Sequence, residues 1–382
     1  MANVSDYVKN YGNISFKEKP FCDEDNVALG MSFYMPLEQV VSPSFDDEPI
    51  PFNVASKELF EIRGNKHKAI GLILFKRISR LFMDMAEQTR YREMRIVGCT
   101  DNFSKIPAVQ FNAGTFLLPD GEVVVIFRGT DDSLAGWKED LDIIGGSDDI
   151  PSAKLAVEYL AEVARRFDGS IIVSGHSKGG HIAQYAVLNS AKEVRDRIRL
   201  FYNNDGPGFK SYDYLESEAY KEMLPRYRHF VPRSAFVGVM LFHDDDYTVI
   251  KCSDKTGVTQ HDMLTWQFSG DKLMTCEDIT ALSKITDLVF YELIRNHTRE
   301  QIDALETAVG DIFEATGHNK LLDIKKNLTQ SLKSANTAYQ DLDDETKALL
   351  NEISKNISTY IKDAARAVKN GEYKSVRERL NG

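Results

Sequence analysis

Residues 170–187 read Ser-Ile-Ile-Val-Ser-Gly-His-Ser-Lys-Gly-Gly-His-Ile-Ala-Gln-Tyr-Ala-Val, an apolar β-branched run that passes through Gly175-His176-Ser177-Lys178-Gly179 into a helical pattern. Ser170 to Ser174 has the composition of a strand buried on both faces, and Gly179 to Ala191 has the periodicity of a helix. Between them stands Gly-x-Ser-x-Gly. In a strand-to-helix turn this pattern makes a nucleophile elbow: a sharp, strained turn holds the serine forward, and small neighbours leave room for it. The two glycines avoid Cβ clashes across the turn. The helix that follows aims its first backbone N–H groups and the positive end of its dipole at any oxyanion formed there. Ser177 is thus expected to attack a carbonyl.

The flanking sequence repeats the same alternation. Val123 to Phe127, Ile198 to Tyr202 and Tyr247 to Cys252 read as further strands, with helical periodicity over Lys154 to Phe167 before the elbow. Strand, helix, strand, helix, strand in this order predicts an α/β fold with a mostly parallel sheet and flanking helices. Upstream, Lys57 to Tyr91 carries Leu59, Ile62, Ile70, Leu74, Ile78, Leu81, Phe82 and Met85 at helical spacing, which predicts one long helical segment over a sheet face. Late in the chain the composition changes, because all 11 prolines lie at or before Pro232. There, Ile302 to Phe313, Leu321 to Leu332 and Leu349 to Ile361 predict three amphipathic helices. Thr298 with Gln301 forms a capping box, Gly317 a stop, and Asp341 to Glu345 a turn. Their mixed charges favour a helical appendage packing on the rest of the chain or on itself over a basic membrane-binding stripe.

Composition sets limits on function. The chain has 382 residues, 42% hydrophobic and 27% charged, close to the globular average, and a net charge of −11. A polyanion would meet a repulsive average field, so nucleic acid is not an expected partner. Cys22, Cys99, Cys252 and Cys276 are widely spaced without a CxxC pair, as expected of reduced thiols in a cytoplasm and not of a metal site. The start of the chain lacks the basic flank and apolar core of a signal peptide. The longest apolar run, Ala235 to Phe242, is too short to span a bilayer, so no transmembrane segment is expected.

A second motif follows the strand at Val123: Phe127-Arg-Gly-Thr130, then Trp137 and Asp140-Leu141. Together with Gly175-His-Ser-Lys-Gly-Gly180 it resembles the class 3 (fungal type) triacylglycerol lipases, a branch of the α/β-hydrolases. Over roughly residues 5 to 270 the chain more closely resembles a bacterial family of lipase-like proteins, through Cys22-Asp-Glu-Asp-Asn26, Phe127-Arg-Gly-Thr-Asp-Asp132, Asp205-Gly-Pro-Gly-Phe209 and Gln260-His-Asp262. With the helical tail set apart by its composition and periodicity, the chain is expected to carry an α/β-hydrolase domain over residues 1–290 and a helical C-terminal extension over 291–382. The resemblance also implies an oxyanion hole formed by the backbone N–H groups of Thr130 and Lys178, assisted by the Thr130 hydroxyl.

Of eight histidines, His261 is the expected base. It follows the nucleophile in chain order, lies just after a strand, and precedes Trp266 at nearly the spacing that class 3 lipases use. His176 and His181 flank Ser177, but neighbours on an elbow point away from the serine, so both are expected to support packing. The acid has several candidates. The position where class 3 lipases carry it reads Arg228-His-Phe-Val-Pro232, without a carboxylate. Asp205, at the end of the strand from Ile198, is preferred, as animal neutral lipases place their acid similarly; Asp244, Asp245, Asp246 and Asp262 remain alternatives. The acid's task is to accept the Nδ1 proton, fix the tautomer and stabilise the imidazolium.

These residues predict a serine hydrolase of carboxylic esters, acting on a small acyl ester or lipid through an acyl-enzyme, with no cofactor and no metal. Lys178 either favours an anionic substrate or faces solvent. The contrasting expectation is a catalytically silent hydrolase fold that binds a protein partner, or self-associates, through its helical tail.

Overall fold

A computed structural model of the chain describes residues 2–63, 75–105, 108–130, 134–145, 148–243, 246–254, 257–317 and 327–380. Its main sheet has eight strands, β1 (Ile50–Pro51), β2 (Arg95–Lys105), β3 (Ala108–Leu117), β4 (Val123–Phe127), β5 (Ile171–His176), β6 (Ile198–Asn204), β7 (Tyr227–Pro232) and β8 (Thr248–Ile250), each beside its sequence neighbour. β1 to β4 pair antiparallel and β4 to β8 parallel. The expected α/β architecture is present, with the strands at Val123, Ile171, Ile198 and Thr248 where the apolar runs put them.

The strand order determines how the faces are covered. Neighbouring parallel strands joined by right-handed crossovers place every connecting helix on one side. That side receives α7 (Pro151–Arg166) and α8 (Lys178–Asn189), whose Ala153, Ala156, Leu160, Val163, Ile182 and Ala186 pack on Val123, Val125, Phe127, Ile171 and Val173. The alternate residues Val124, Ile126 and Ile172 face the other way. They are covered by helices from the start of the chain: α1 (Val4–Tyr11), α2 (Asp23–Ser32), α3 (Phe52–Arg63), α4 (Phe75–Glu87) and the short α5 (Thr89–Arg92). A buried ion pair joins α2 and α5, Arg90 donating from Nε to Asp25 Oδ1 (2.7 Å) and from Nη2 to Oδ2 (2.5 Å). Tyr91 and Tyr7 donate to the same carboxylate, and the guanidinium also takes the carbonyls of Ile14, Lys19 and Pro20.

The long helical segment expected over Lys57 to Tyr91 is instead divided among α3, α4 and α5, with α3 and α4 side by side and the Phe52 and Phe82 rings 4.7 Å apart. The apolar periodicity runs through both because α3 and α4 bury their stripes in the same core. Ile70 and Leu74 of that reading lie outside the described residues. The β2–β3 hairpin, α1, α2 and β7 were not expected.

In the tail, helices Ala281–Asn296, Arg299–Glu314, Leu328–Asp341 and Asp344–Asn370 follow one another. The capping box is present, Thr298 N–H donating to Gln301 Oε1 (2.9 Å) and Gln301 N–H to Thr298 Oγ1 (3.3 Å). Gly317 has φ +71, and Asp343 caps the last long helix by accepting from Thr346 N–H. Leu321 and Ile324 lie outside the described residues. Leu293, Ile302 and Ile353 form a small core of their own, and the helix Arg299–Glu314 packs on α6 (Leu134–Gly145). The end of the chain is fastened by Tyr373 and Arg379, which donate to the buried Asp287 (2.7 and 2.6 Å). Among the described residues no helix is long and apolar enough to cross a membrane.

His229 on β7 is buried between Tyr227, His243 and Tyr247, and among the described residues neither ring nitrogen has a hydrogen-bond partner. Burial, and secondarily His243, push its pKa down from 6.5 to about 3. The unfolded chain takes up this proton near pH 6.5 and the folded chain does not, so stability falls as pH drops below 6.5. By pH 5 this residue alone removes about 2 kcal/mol. His229→Leu is therefore expected to gain about 2 kcal/mol over the parent between pH 7 and pH 5, measured by urea unfolding at both values.

Candidate active site

β5 carries its buried apolar residues to the edge of the sheet and ends at His176, and α8 begins at Lys178. Ser177 between them has φ 59 and ψ −132, a conformation that L-residues rarely adopt. The turn is tight enough to require glycine on both sides. A Cβ on Gly175 would lie 1.9 Å from Gly179 O, and one on Gly179 would lie 2.2 Å from Phe127 O. The strained residue is held by backbone bonds, Ser177 N–H donating to Asn204 O (3.0 Å) and Gly180 N–H to Ser177 O (2.8 Å). Beneath it, a buried side-chain network joins the first helices to the sheet: Ser174 Oγ donates to Asn26 Oδ1 (2.6 Å), and Asn26 Nδ2 to Asn204 Oδ1 (2.8 Å).

Asp205 closes β6 and also has positive φ, 49. Its N–H donates to Phe230 O (2.8 Å) on β7, and its carboxylate is wholly buried. Oδ2 lies 2.7 Å from His261 Nδ1, and Oδ1 accepts from Gly238 N–H (2.9 Å). Burial raises the Asp205 pKa, while the hydrogen bond and charge of His261 and the Gly238 N–H pull against that rise. His261 follows the short helix Gly257–Gln260 and keeps its side chain 20% exposed. The expected spacing to Trp266 has a local cause: the buried indole donates Nε1–H to Gln260 O (3.1 Å), holding the peptide just before the histidine.

Ser177 and Asp205 thus stand at the carboxyl ends of the neighbouring strands β5 and β6, and Asp205 is in contact with His261. The His176 ring, next in chain to Ser177, lies 4.6 Å from that of His261. The other acid candidates differ. Asp262 receives Leu264 N–H (2.9 Å) and Arg77 (3.3 Å), and Asp244 and Asp245 lie outside the described residues. His181 packs on Phe209 with Nδ1 3.0 Å from Gly208 O, in keeping with a packing role.

Thr130 follows β4, and its hydroxyl donates to Asp140 Oδ1 on α6 (2.8 Å). Burial pushes the Asp140 carboxyl up to about 6 against the opposing pull of Lys178 and the Thr130 hydroxyl. Lys178 occupies the first position of α8, but its ammonium meets neither alternative of the sequence reading. The side chain is fully buried and donates to Glu139 Oε2 (2.7 Å) and Gln110 O (2.9 Å). Glu139 in turn accepts from the N–H groups of Gln110 (2.8 Å) and Ser152 (3.2 Å). Glu139 was not expected as a partner; the only sequence signal was a carboxylate among the apolar positions of α6. Among the described residues no group of three or more His, Cys, Asp or Glu side chains is arranged to hold a metal ion.

The family model described as Mbeg1-like matches residues 85–314, and the chain belongs to that family. No curated protein matches it. Among solved structures the chain is similar to the native Rhizomucor miehei lipase propeptide complex, with 13% identity and a TM-score of 0.34, over 64% of this chain and 78% of that one. It is similar also to a fungal lipase–inhibitor complex solved as a model for interfacial activation in lipases, with 14% identity and a TM-score of 0.34, over 61% of this chain and 82% of that one.

The Lys178–Glu139 pair generates a stability prediction. Glu139→Gln leaves an ammonium buried without its counter-charge, an expected loss of about 3–5 kcal/mol. Adding Lys178→Met removes the orphaned charge, so the double variant is expected to recover more than half of that loss in urea unfolding.

Proposed function

We propose that this member of the Mbeg1-like family is a serine hydrolase with an α/β-hydrolase fold that cleaves carboxylic esters, either acyl lipids or small acyl esters. The observation that carries the reading is the 2.7 Å contact of the buried Asp205 carboxylate with His261 Nδ1, together with a serine held at φ 59 at the head of the helix that follows the neighbouring strand. In this scheme Ser177 Oγ attacks the ester carbonyl and His261 Nε2 takes its proton. Asp205 keeps the other ring nitrogen protonated and stabilises the imidazolium. The N–H groups of Lys178 and Thr130 receive the negative charge of the tetrahedral intermediate.

Asp140 fixes the Thr130 hydroxyl and through it the end of β4. Collapse of the intermediate expels the alcohol, which takes the proton from His261, and leaves the acyl group on Ser177. Water then attacks with His261 as base and releases the acid. The scheme needs no cofactor. Residues 1–290 form the hydrolase unit and 291–382 the helical extension in this reading. Burial of the Lys178 ammonium argues against its recognising an anionic substrate group.

A fluorophosphonate probe tests the reading. The parent protein is expected to label and to hydrolyse p-nitrophenyl esters, and Ser177→Ala to do neither. Asp205→Asn, which favours the wrong histidine tautomer, is expected to lower kcat about ten-thousand-fold. The dependence on acyl length separates a lipase from a short-chain esterase. A folded parent that takes no label would overturn the enzyme reading and favour a binding scaffold.

A further inference from the structure

His261 needs more than Asp205 to be useful as a base. The bond to Asp205 fixes the ring at Nδ1, but the residue sits between a four-residue helix and a 3-10 turn, a stretch with little regular structure to hold its backbone. The backbone is held from the nucleophile's own turn. His176 Nε2 lies 2.8 Å from the His261 carbonyl oxygen, and its Nδ1 lies 2.7 Å from the Tyr34 hydroxyl.

These two distances assign the proton. A carbonyl can only accept, so Nε2 carries the hydrogen. In a neutral ring Nδ1 is then bare, and Tyr34 must donate to it. Burial, followed by the neighbouring charge of His261, keeps His176 neutral, holding its pKa well below 6.5. An imidazolium formed on His261 therefore faces an uncharged ring 4.6 Å away.

We propose that His176, locked by Tyr34 as the Nε2–H tautomer, is a positioning residue that clamps the His261 backbone and ties the base-bearing loop to the loop that follows β4. The tie to the second loop runs through Tyr34. Gly129 lies against the Tyr34 hydroxyl and the His176 peptide, where a Cβ would come within 2.6 Å of Tyr34 Oη and 2.5 Å of His176 O. The chain of contacts thus reaches from the peptide next to Thr130, through Tyr34 and His176, to the peptide of His261. This inference rests on the hydrolase reading for its effect on rate, and on geometry alone for the tautomer and the clamp.

The test combines NMR of the full chain carrying isotope-labelled histidine with ester hydrolysis. His176 is expected to stay neutral with its proton on Nε2 across roughly pH 5 to 8. In His176→Phe the low-field Nδ1–H resonance of His261 is expected to shift or broaden, with kcat falling about a hundredfold and KM little changed. His176→Gln keeps an N–H near the Nε2 position and is expected to recover kcat to within about tenfold of the parent. A proton on Nδ1 of His176, or a folded His176→Phe with the parent's His261 resonance and kcat, overturns the proposal. Should His176→Phe not fold, Tyr34→Phe replaces it, and an unchanged His261 resonance and kcat in that variant overturn the proposal equally. If the parent takes no fluorophosphonate the hydrolase reading fails by itself, and the tautomer and resonance shifts still decide the clamp.

Discussion

The arrangement depends on one tight turn, in which Ser177 takes a positive φ with the Gly179 backbone pressed against Phe127 O at the end of β4. A residue held in that region costs of order 1–3 kcal/mol and persists only where its surroundings determine it from several sides. Here the sides can be named. Asn204 O receives the serine N–H, Gly180 closes the first turn of α8, and the Asn26–Ser174–Asn204 network fills the space under the strand ends. The same turn sends Lys178 into the protein toward α6 and His176 toward His261. Three consecutive residues thus reach three different parts of the molecule.

The interior bears an unusual load of polar and ionisable groups for that reason. Asp25 with Arg90, Lys178 with Glu139, and Asp205 with His261 each sit where an isolated charge would be strongly unfavourable. In each the carboxylate also takes further N–H or O–H donors, which offsets the loss of water. Pairs of this kind add little net stability over apolar replacements, but they tolerate few alternative geometries. The Asp25 pair sets the N-terminal helices against one another, and the residue next to it, Asn26, lies under the nucleophile strand. The Cys22-Asp-Glu-Asp-Asn26 stretch therefore acts by supporting the site from beneath, without reaching it.

The legible parts of the sequence were those where local pattern and tertiary role coincide. β4, β5 and β6 are buried on both faces, so their apolar runs stand out, and a glycine-flanked serine between strand and helix has few other uses. Asp205 could be reached because it follows a strand directly, and His261 because it comes after the last strand at a recognisable spacing to Trp266, the helix Gly257–Gln260 lying between. β2 and β3 were missed because their outer halves alternate polar residues such as Asp101, Asn102, Gln110 and Asn112, and two of these are buried only through tertiary contact. The partner of Lys178 and the use of His176 were missed for a related reason. Sequence neighbours on an elbow do point away from the serine, but what they point at is set by elements far off in the chain: Glu139 on α6, Tyr34 after α2, and the peptide of His261.

α6 shows how far the site extends from its reacting atoms. One face of this helix supplies Asp140 to the Thr130 hydroxyl and Glu139 to the Lys178 ammonium, so it braces both positions from which an oxyanion would be bound. The helix Arg299–Glu314 packs on it, bridged at its edge by Lys138 and Glu314 at 3.9 Å. That exposed pair contributes little energy. The packing matters more, because the Arg299–Glu314 helix shares its core with Leu293 and Ile353, and the chain's end is fastened back to Asp287 on the helix Ala281–Asn296. Movement of the C-terminal helices would reach Asp140 and Glu139 through a single rigid element, while Asp205 and His261 are held from β6, β7 and the His176 side. The helix Ala281–Asn296 meets that second side as well, Thr280 N–H donating to Arg233 O (2.8 Å) and the Phe236 and Phe242 rings packing on Phe290 and Tyr291, so the end of the chain bears on both the Asp140–Glu139 side and the Asp205–His261 side.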